Sequence, residues 1–254
     1  MKKLFIFGCQ RSGTTLLRYI LDSHSKISCP PETKFILPLV ENIYENDYVI
    51  DAFKSIKLKK NLRDYIANFV NDILTDYAKS KKKIMWADKS CHHIYIIESL
   101  KKIFSIKELK LVCLFRDGIE VANSFYTSKF HKFKFINYQS KKTIYNSGLS
   151  HWINYNDLLK KKLEYNQIHI VDYNLLVNEP NSELKKLFKY LNLKFEEDII
   201  YYSKFNHDDG LGDQKVLNHN MPINKKFNKI NINIFDEKLL KRYFELTNFF
   251  KSSS

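Results

Sequence analysis

The chain has 254 residues, with 42 Lys and Arg against 28 Asp and Glu and a formal net charge of +14 at pH 7. Its 44% apolar content is enough to fill a core, the 28% charged and 15% aromatic content excludes an intrinsically disordered chain, and only 6 Gly and 5 Pro exclude collagen-like and low-complexity classes. Four cysteines, Cys9, Cys29, Cys91 and Cys113, are scattered without a C-x-x-C pair or zinc spacing, as expected of reduced thiols in a cytoplasmic protein. The lysine excess accompanies much Asn, Ile and Tyr, so most of it reads as a solvated surface; what it favours beyond that is an anionic ligand.

Met1-Lys2-Lys3 resembles the start of a signal peptide, but the apolar run Leu4–Phe7 is four residues long, against the roughly 7–15 that a signal needs. No stretch approaches the ~20 apolar residues of a membrane span. The run 3–7 reads instead as a buried first strand ending at Gly8. A helix over Thr14–Ser23 follows, and then a loop over 25–38 punctuated by Pro30, Pro31 and Pro38. Residues 60–79 predict a helix with Leu62, Ile66, Phe69, Val70, Ile73 and Leu74 on one side. Ile84–Ala87 is a second strand, ending in Asp88-Lys89-Ser90, and a helical stripe runs from Ile94 to Phe104.

Leu111–Phe115 is the clearest buried strand; it ends at Arg116-Asp117 and leads into a helix through Val121 and Phe125. Residues 129–142 read as an exposed basic and aromatic excursion, 143–164 as a long helix around Trp152, and 168–171 as a fourth strand. A helix around Leu184–Leu191 follows Pro180. Residues 203–231 lack a period and read as a long ordered loop or a lid covering the nucleotide, and a last helix spans about 236–250 before a frayed tail at 251–254. Strands alternating with helices predict an α/β fold with a central parallel sheet flanked by helices, in one domain over 1–254. Ligands of such sheets sit beyond the carboxyl ends of the strands. Arg11–Thr15, Asp88-Lys89-Ser90 and Arg116-Asp117 all fall there.

Gly8-Cys9-Gln10-Arg11-Ser12-Gly13-Thr14-Thr15 has the G-x-x-x-x-G spacing of a phosphate loop between a strand and a helix. Its glycines let backbone N–H groups and the helix N-terminus face one anion. Thr14 stands where nucleotide triphosphatases place the lysine that reaches the β- and γ-phosphates, which disfavours ATP or GTP hydrolysis.

Arg11-Ser12-Gly13-Thr14-Thr15-Leu16-Leu17 after a strand resembles the 5′-phosphosulfate loop of sulfotransferases that use 3′-phosphoadenosine 5′-phosphosulfate (PAPS). The stretch from Leu21-Asp22-Ser23-His24 to Pro31-Glu32-Thr33-Lys34-Phe35-Ile36 is similar to the tyrosylprotein sulfotransferase branch. Phe115-Arg116-Asp117-Gly118, with Ser124 eight residues after the Arg, resembles the family's 3′-phosphate motif. Asp88-Lys89, Trp152, Tyr173 and the loop Gly210-Leu211-Gly212-Asp213-Gln214-Lys215 follow in family order, so the resemblance covers roughly residues 3–220. It implies a P-loop-like three-layer fold and in-line sulfuryl transfer from PAPS to a hydroxyl of a carbohydrate, a tyrosine or a small molecule. Adenosine 3′,5′-bisphosphate (PAP) is then the product, and no metal is required.

The resemblance makes Glu32 the base, Lys89 the stabiliser of the bridging oxygen, and Arg11 the holder of sulfuryl or 5′-phosphate oxygens. Arg11, Ser12, Gly13, Thr14 and Thr15 bind the 5′ end, Arg116 and Ser124 the 3′-phosphate, and Tyr173 and Lys215 further parts of the nucleotide. The family branch often carries another Arg where Ser128 stands here, next to Lys129. Three readings compete with these roles. His92 or His93 is a rival base, Arg116 is a structural partner of Asp117, and Tyr173 simply packs on the core. The expected partners are the nucleotide donor and a hydroxyl acceptor. No nucleic acid is expected, and Phe130–Tyr138 is read as a loop lining the acceptor site. The tyrosine-modifying branch is usually membrane-anchored, whereas a loop starting at Gly8 leaves no room for an anchor in this chain, so a cytoplasmic glycan or metabolite is expected at least as much as a tyrosine. The rival functions are a nucleotide kinase or triphosphatase and a non-catalytic polyanion-binding protein.

Overall fold

Alternate residues of a strand face opposite sides of a sheet, and in β1 (Lys3–Phe7) both sides are apolar: Leu4 and Ile6 enter one core, Phe5 and Phe7 the other, and all four are fully buried. Such a segment must lie in the middle of a sheet covered on both faces. A computed structural model describes residues 2–104, 107–128, 140–208, 210, 216 and 230–252. It places β1 in a five-stranded sheet with β2 (Ile27–Ser28), β3 (Met85–Lys89), β4 (Leu109–Phe115) and β5 (Ile168–Asp172). The strand order is β2-β3-β1-β4-β5, and every pairing is parallel. The predicted α/β class and parallel sheet are therefore observed.

The helices are α1 (Thr14–Ser23), α2 (Ile36–Leu39), α3 (Asp47–Ser55), α4 (Leu62–Ser80), α5 (Ile97–Ile103), α6 (Gly118–Thr127), α7 (Lys141–Leu163), α8 (Tyr173–Asn178), α9 (Pro180–Leu191) and α10 (Glu237–Ser252). One core gathers Phe5, Phe7, Cys113 and Phe115 under α4–α7 and α10. The other gathers Leu4, Ile6, Val112 and Leu114 under α1, α8 and α9. All four cysteines are free thiols, three of them buried. Burial pushes the Cys9 thiol well above its usual range, so this residue of the phosphate loop is a neutral thiol.

Two segments differ from the sequence reading. Within the expected loop 25–38, Ile27 and Ser28 pair with Met85 and Trp86, and the ladder stops where Pro30 and Pro31 have no N–H to donate. Pro38, read as loop punctuation, is the third residue of α2, where its missing N–H costs nothing because first-turn donors have no partner inside a helix. A π-helical turn, Val40–Tyr44, then continues toward α3. Lys251 and Ser252, expected in the tail, belong to α10 instead.

Of the expected lid, residues 203–208 are tied down. His207 Nδ1 lies 2.6 Å from Asp22 Oδ2, Arg18 donates to the Asp208 carbonyl at 3.0 Å, and Tyr77 and Lys81 donate to the Asp208 carboxylate at 2.8 and 2.7 Å. Burial acts to raise the Asp22 carboxyl. The hydrogen bonds from His207 and the Cys29 N–H, with Lys83 beside them, outweigh it and hold the group below its ordinary value. A depressed carboxylate adds stability that is complete above its unfolded-state pKa and is lost as the pH falls through its folded-state pKa. Asp22→Asn is accordingly expected to flatten the acid side of a plot of thermal midpoint against pH.

Candidate active site

The carboxyl ends of the five strands line one edge of the sheet, and the chain leaves each of them through residues singled out by the sequence. Read along the strand order, these are Glu32 after β2, Lys89 at the end of β3, the 8–15 loop after β1, Arg116 after β4 and Tyr173 after β5. The sequence direction reverses between β1 and β4, the kind of switch point at which open α/β sheets bind ligands.

The loop after β1 is shaped by two left-handed residues. Gly13, at φ 99°, is the N-cap of α1, and Arg11 adopts φ 73°, a strained conformation for a residue with a Cβ. No side chain caps α1 and no acid lies in its first turn, so the helix dipole meets no built-in anion. Ser12 Oγ is buried without a hydrogen-bond partner among the described residues. These features fit the oxygens of a bound phosphate. A Cβ on Gly13 would lie 2.6 Å from Tyr173 Cε2, so the aromatic ring closes the back of the loop. Gly13→Ala is expected to cost at least about 1–2 kcal/mol from the left-handed backbone alone. Scanning calorimetry should show that as a thermal midpoint lower by roughly 2–8 °C.

Arg116 is nearly buried and has three anchors. Its Nε donates to Glu120 at 3.0 Å, its NH1 donates to the Arg11 carbonyl at 3.1 Å, and its guanidinium stacks 4.1 Å from the centre of the Tyr173 ring. The carbonyl of Arg116 accepts from Trp152 Nε1 at 2.8 Å, and Gly118 lets that indole approach. Arg11 Nε donates to Ser124 Oγ at 3.3 Å, so one cluster contains Arg11, Arg116, Ser124 and Tyr173. The expected structural rival of this arrangement named the wrong acid. Asp117 caps α6 and accepts from Tyr243, while Glu120, one helical turn beyond Arg116, is its carboxylate partner. Burial pushes the Glu120 carboxyl up against the opposing pull of Arg116.

On the other side of the loop, Lys89 Nζ lies 3.2 Å from Glu32 Oε2. Thr33 Oγ1 donates to Asp88 Oδ1 at 2.9 Å, and the other Asp88 oxygen is 2.7 Å from His93 Nε2. Of the two rival bases, His93 is therefore buried and engaged by Asp88. His92 is exposed, its ring near that of Tyr95. Lys129, Phe130–Tyr138 and Lys215 lie outside the described residues.

A model of the sulfotransferase family matches residues 3–197. The chain belongs to that family. Among curated relatives it is similar to a protein-tyrosine sulfotransferase of Drosophila melanogaster, 23% identical over 228 residues that make up 85% of this chain and 43% of the relative. It is also similar to protein-tyrosine sulfotransferase A of Caenorhabditis elegans, 21% identical over 213 residues, 79% of this chain and 52% of the relative. The chain thus spans about half the length of these relatives.

Solved structures share the P-loop-like sulfotransferase fold. The sulfotransferase domain of the curacin biosynthetic pathway superposes with a TM-score of 0.64 at 19% identity, over 96% of each chain. The sulfotransferase domain of the Synechococcus PCC 7002 olefin synthase gives 0.65 at 19% identity, over 98% of this chain and 94% of that one. A mouse sulfotransferase complexed with PAP gives 0.54 at 12% identity, over 96% and 82%. In this sulfotransferase-family chain, no helix among the described residues is long and apolar enough to cross a membrane, and no group of three or more His, Cys, Asp or Glu side chains there is arranged to hold a metal ion.

Two residues of the site escaped the sequence reading. Glu120 had a readable signal in its i+4 spacing from Arg116. Thr33 fell inside the Glu32-Thr33 match to the family, but its bond to Asp88, 55 residues away, has no local signal.

Proposed function

We propose that the chain is a PAPS-dependent sulfotransferase that moves a sulfuryl group to an acceptor hydroxyl by in-line displacement. The observation that carries this reading is the order of groups along the sheet edge. A carboxylate–lysine pair stands on one side of the phosphate loop, and the arginine–serine–tyrosine cluster stands on the other. Transfer needs that order: a base and acceptor on one side, the nucleotide on the other, and the reacting sulfur between them.

In this reading Arg116 and Ser124 take the 3′-phosphate, for which a planar guanidinium is well shaped. Residues 11–15 take the 5′ end through backbone N–H groups, the Ser12 and Thr15 hydroxyls and Arg11, with Thr14 at the head of α1. Glu32 accepts the acceptor's hydroxyl proton as the new O–S bond forms. The bond between sulfur and the bridging oxygen of the phosphosulfate breaks, and Lys89 stabilises the charge left on that oxygen. The products are a sulfate ester and PAP, and the proton passes from Glu32 to solvent. The names of the curated relatives put a tyrosine peptide first among acceptors to screen, ahead of carbohydrate and small-molecule hydroxyls.

Calorimetric titration with PAP, run beside Mg·ATP, tests the donor half of the proposal. Saturable PAP binding without Mg·ATP binding is the expected result. Mg·ATP binding in its place supports a kinase, and a well-folded protein that binds neither overturns the reading.

A further inference from the structure

Glu32 sits on a loop, and a loop carboxylate serves as a base only if something holds it within hydrogen-bond reach of its target. The holding groups lie one residue away. After β2 stops at Ser28, Pro30 and Pro31 turn the chain, and the next two residues meet the end of β3 as consecutive rungs: Glu32 on Lys89 and Thr33 on Asp88. Pro31 is backed by Gly210, where a Cβ would run into its ring.

The Asp88 rung is the buried one. Asp88 and His93 are each 1% exposed, and Asp88 spends both oxygens, one on the Thr33 hydroxyl and one on His93 Nε2. His93 Nδ1 is buried without a partner among the described residues. A buried N–H with no acceptor is costly, so the ring hydrogen sits on Nε2 and points at Asp88. Phe5 packs edge-on against the same ring at 5.0 Å and fixes its plane. The acceptor for Thr33 is thus held by a residue of the central strand and a residue of the turn after β3.

We propose that Thr33 is a positioning residue for Glu32, its hydroxyl bond to the Asp88–His93 pair setting the register that keeps the Glu32 carboxylate beside Lys89. The inference rests on the sulfotransferase reading of the site. Asp88 and His93 are buried behind Thr33 and act on Glu32 through it. Without the hydroxyl the 32–35 segment is free to pivot about Pro31, and a displacement of about 1 Å at a reacting group costs on the order of 100-fold in rate.

The test compares Thr33→Val, which removes the hydroxyl at nearly constant shape, with Thr33→Ser, which keeps it. Turnover of PAPS is measured on the acceptor that the wild type uses. Thr33→Val is expected to lower kcat by about 10- to 100-fold with KM for PAPS and Kd for PAP unchanged within about twofold, and Thr33→Ser to stay within about threefold of wild type. A kcat for Thr33→Val within twofold of wild type overturns the proposal, and so does a Thr33→Ser as slow as Thr33→Val. If the wild type transfers no sulfuryl group, the functional reading has failed and the positioning role is decided by a crystal structure of Thr33→Val. Loss of the Glu32–Lys89 contact there supports it, and a contact retained at 3.2 Å overturns it.

Discussion

Glu32→Gln is expected to bind PAP as tightly as wild type and to transfer sulfuryl groups about 10²–10⁴-fold more slowly, the range found for removal of a positioned general base. The substitution keeps the shape of the side chain and leaves the Thr33–Asp88 bond in place, so the loop stays where it is. What it removes is the ability to take the acceptor's proton. The phosphate loop and Arg116 lie across the sheet edge from Glu32, which is why the nucleotide should not register the change. Parallel measurement of kcat and of the Kd for PAP checks both halves. A Glu32→Gln variant with wild-type kcat would shift attention to His92, the exposed histidine three residues beyond Lys89.

Arg116→Ala should have the opposite signature. Loss of a charge-assisted phosphate contact costs about 2–3 kcal/mol, or roughly 30- to 160-fold in PAP affinity. The variant also loses the bond to the Arg11 carbonyl and the stack on Tyr173, both of which brace the phosphate loop from behind. Glu120, already pushed up by burial and now without Arg116 to oppose that shift, takes up a proton more readily instead of remaining as a buried unpaired charge. Arg116→Lys keeps the charge but cannot reproduce the planar fork, and it is expected to fall between the two. Calorimetry with PAP on the three proteins gives the ranking.

The parts of this molecule that were legible in its sequence are those whose signal is local. Leu4–Phe7 and Leu111–Phe115 are apolar runs too short for helices and bounded by polar residues, and both are central strands. Gly8 and Gly13 bracket a turn that needs a left-handed residue, and Gly13 supplies it. What was not legible depends on tertiary partners. A strand of two residues, Ile27-Ser28, has no period to detect and exists only because Met85 and Trp86 lie beside it. Pro38 reads as a loop signal until its place in the first turn of α2 is known. The His207–Asp22 and Thr33–Asp88 pairs join residues far apart in the chain, and nothing local announces them. Arg116 shows the middle case, where the sequence neighbour Asp117 drew attention from the true partner one turn away.

The proposed function stands or falls on movement of a sulfuryl group out of PAPS. The most direct measurement is transfer of radiolabelled sulfur from PAPS to a panel comprising a tyrosine peptide, a simple phenol and a hexose, with release of PAP followed in the same reaction. Label is expected in at least one acceptor, with PAP formed in equal amount and both lost together in Glu32→Gln. A folded protein that binds PAP yet labels no acceptor and releases no PAP above a no-enzyme control would contradict it.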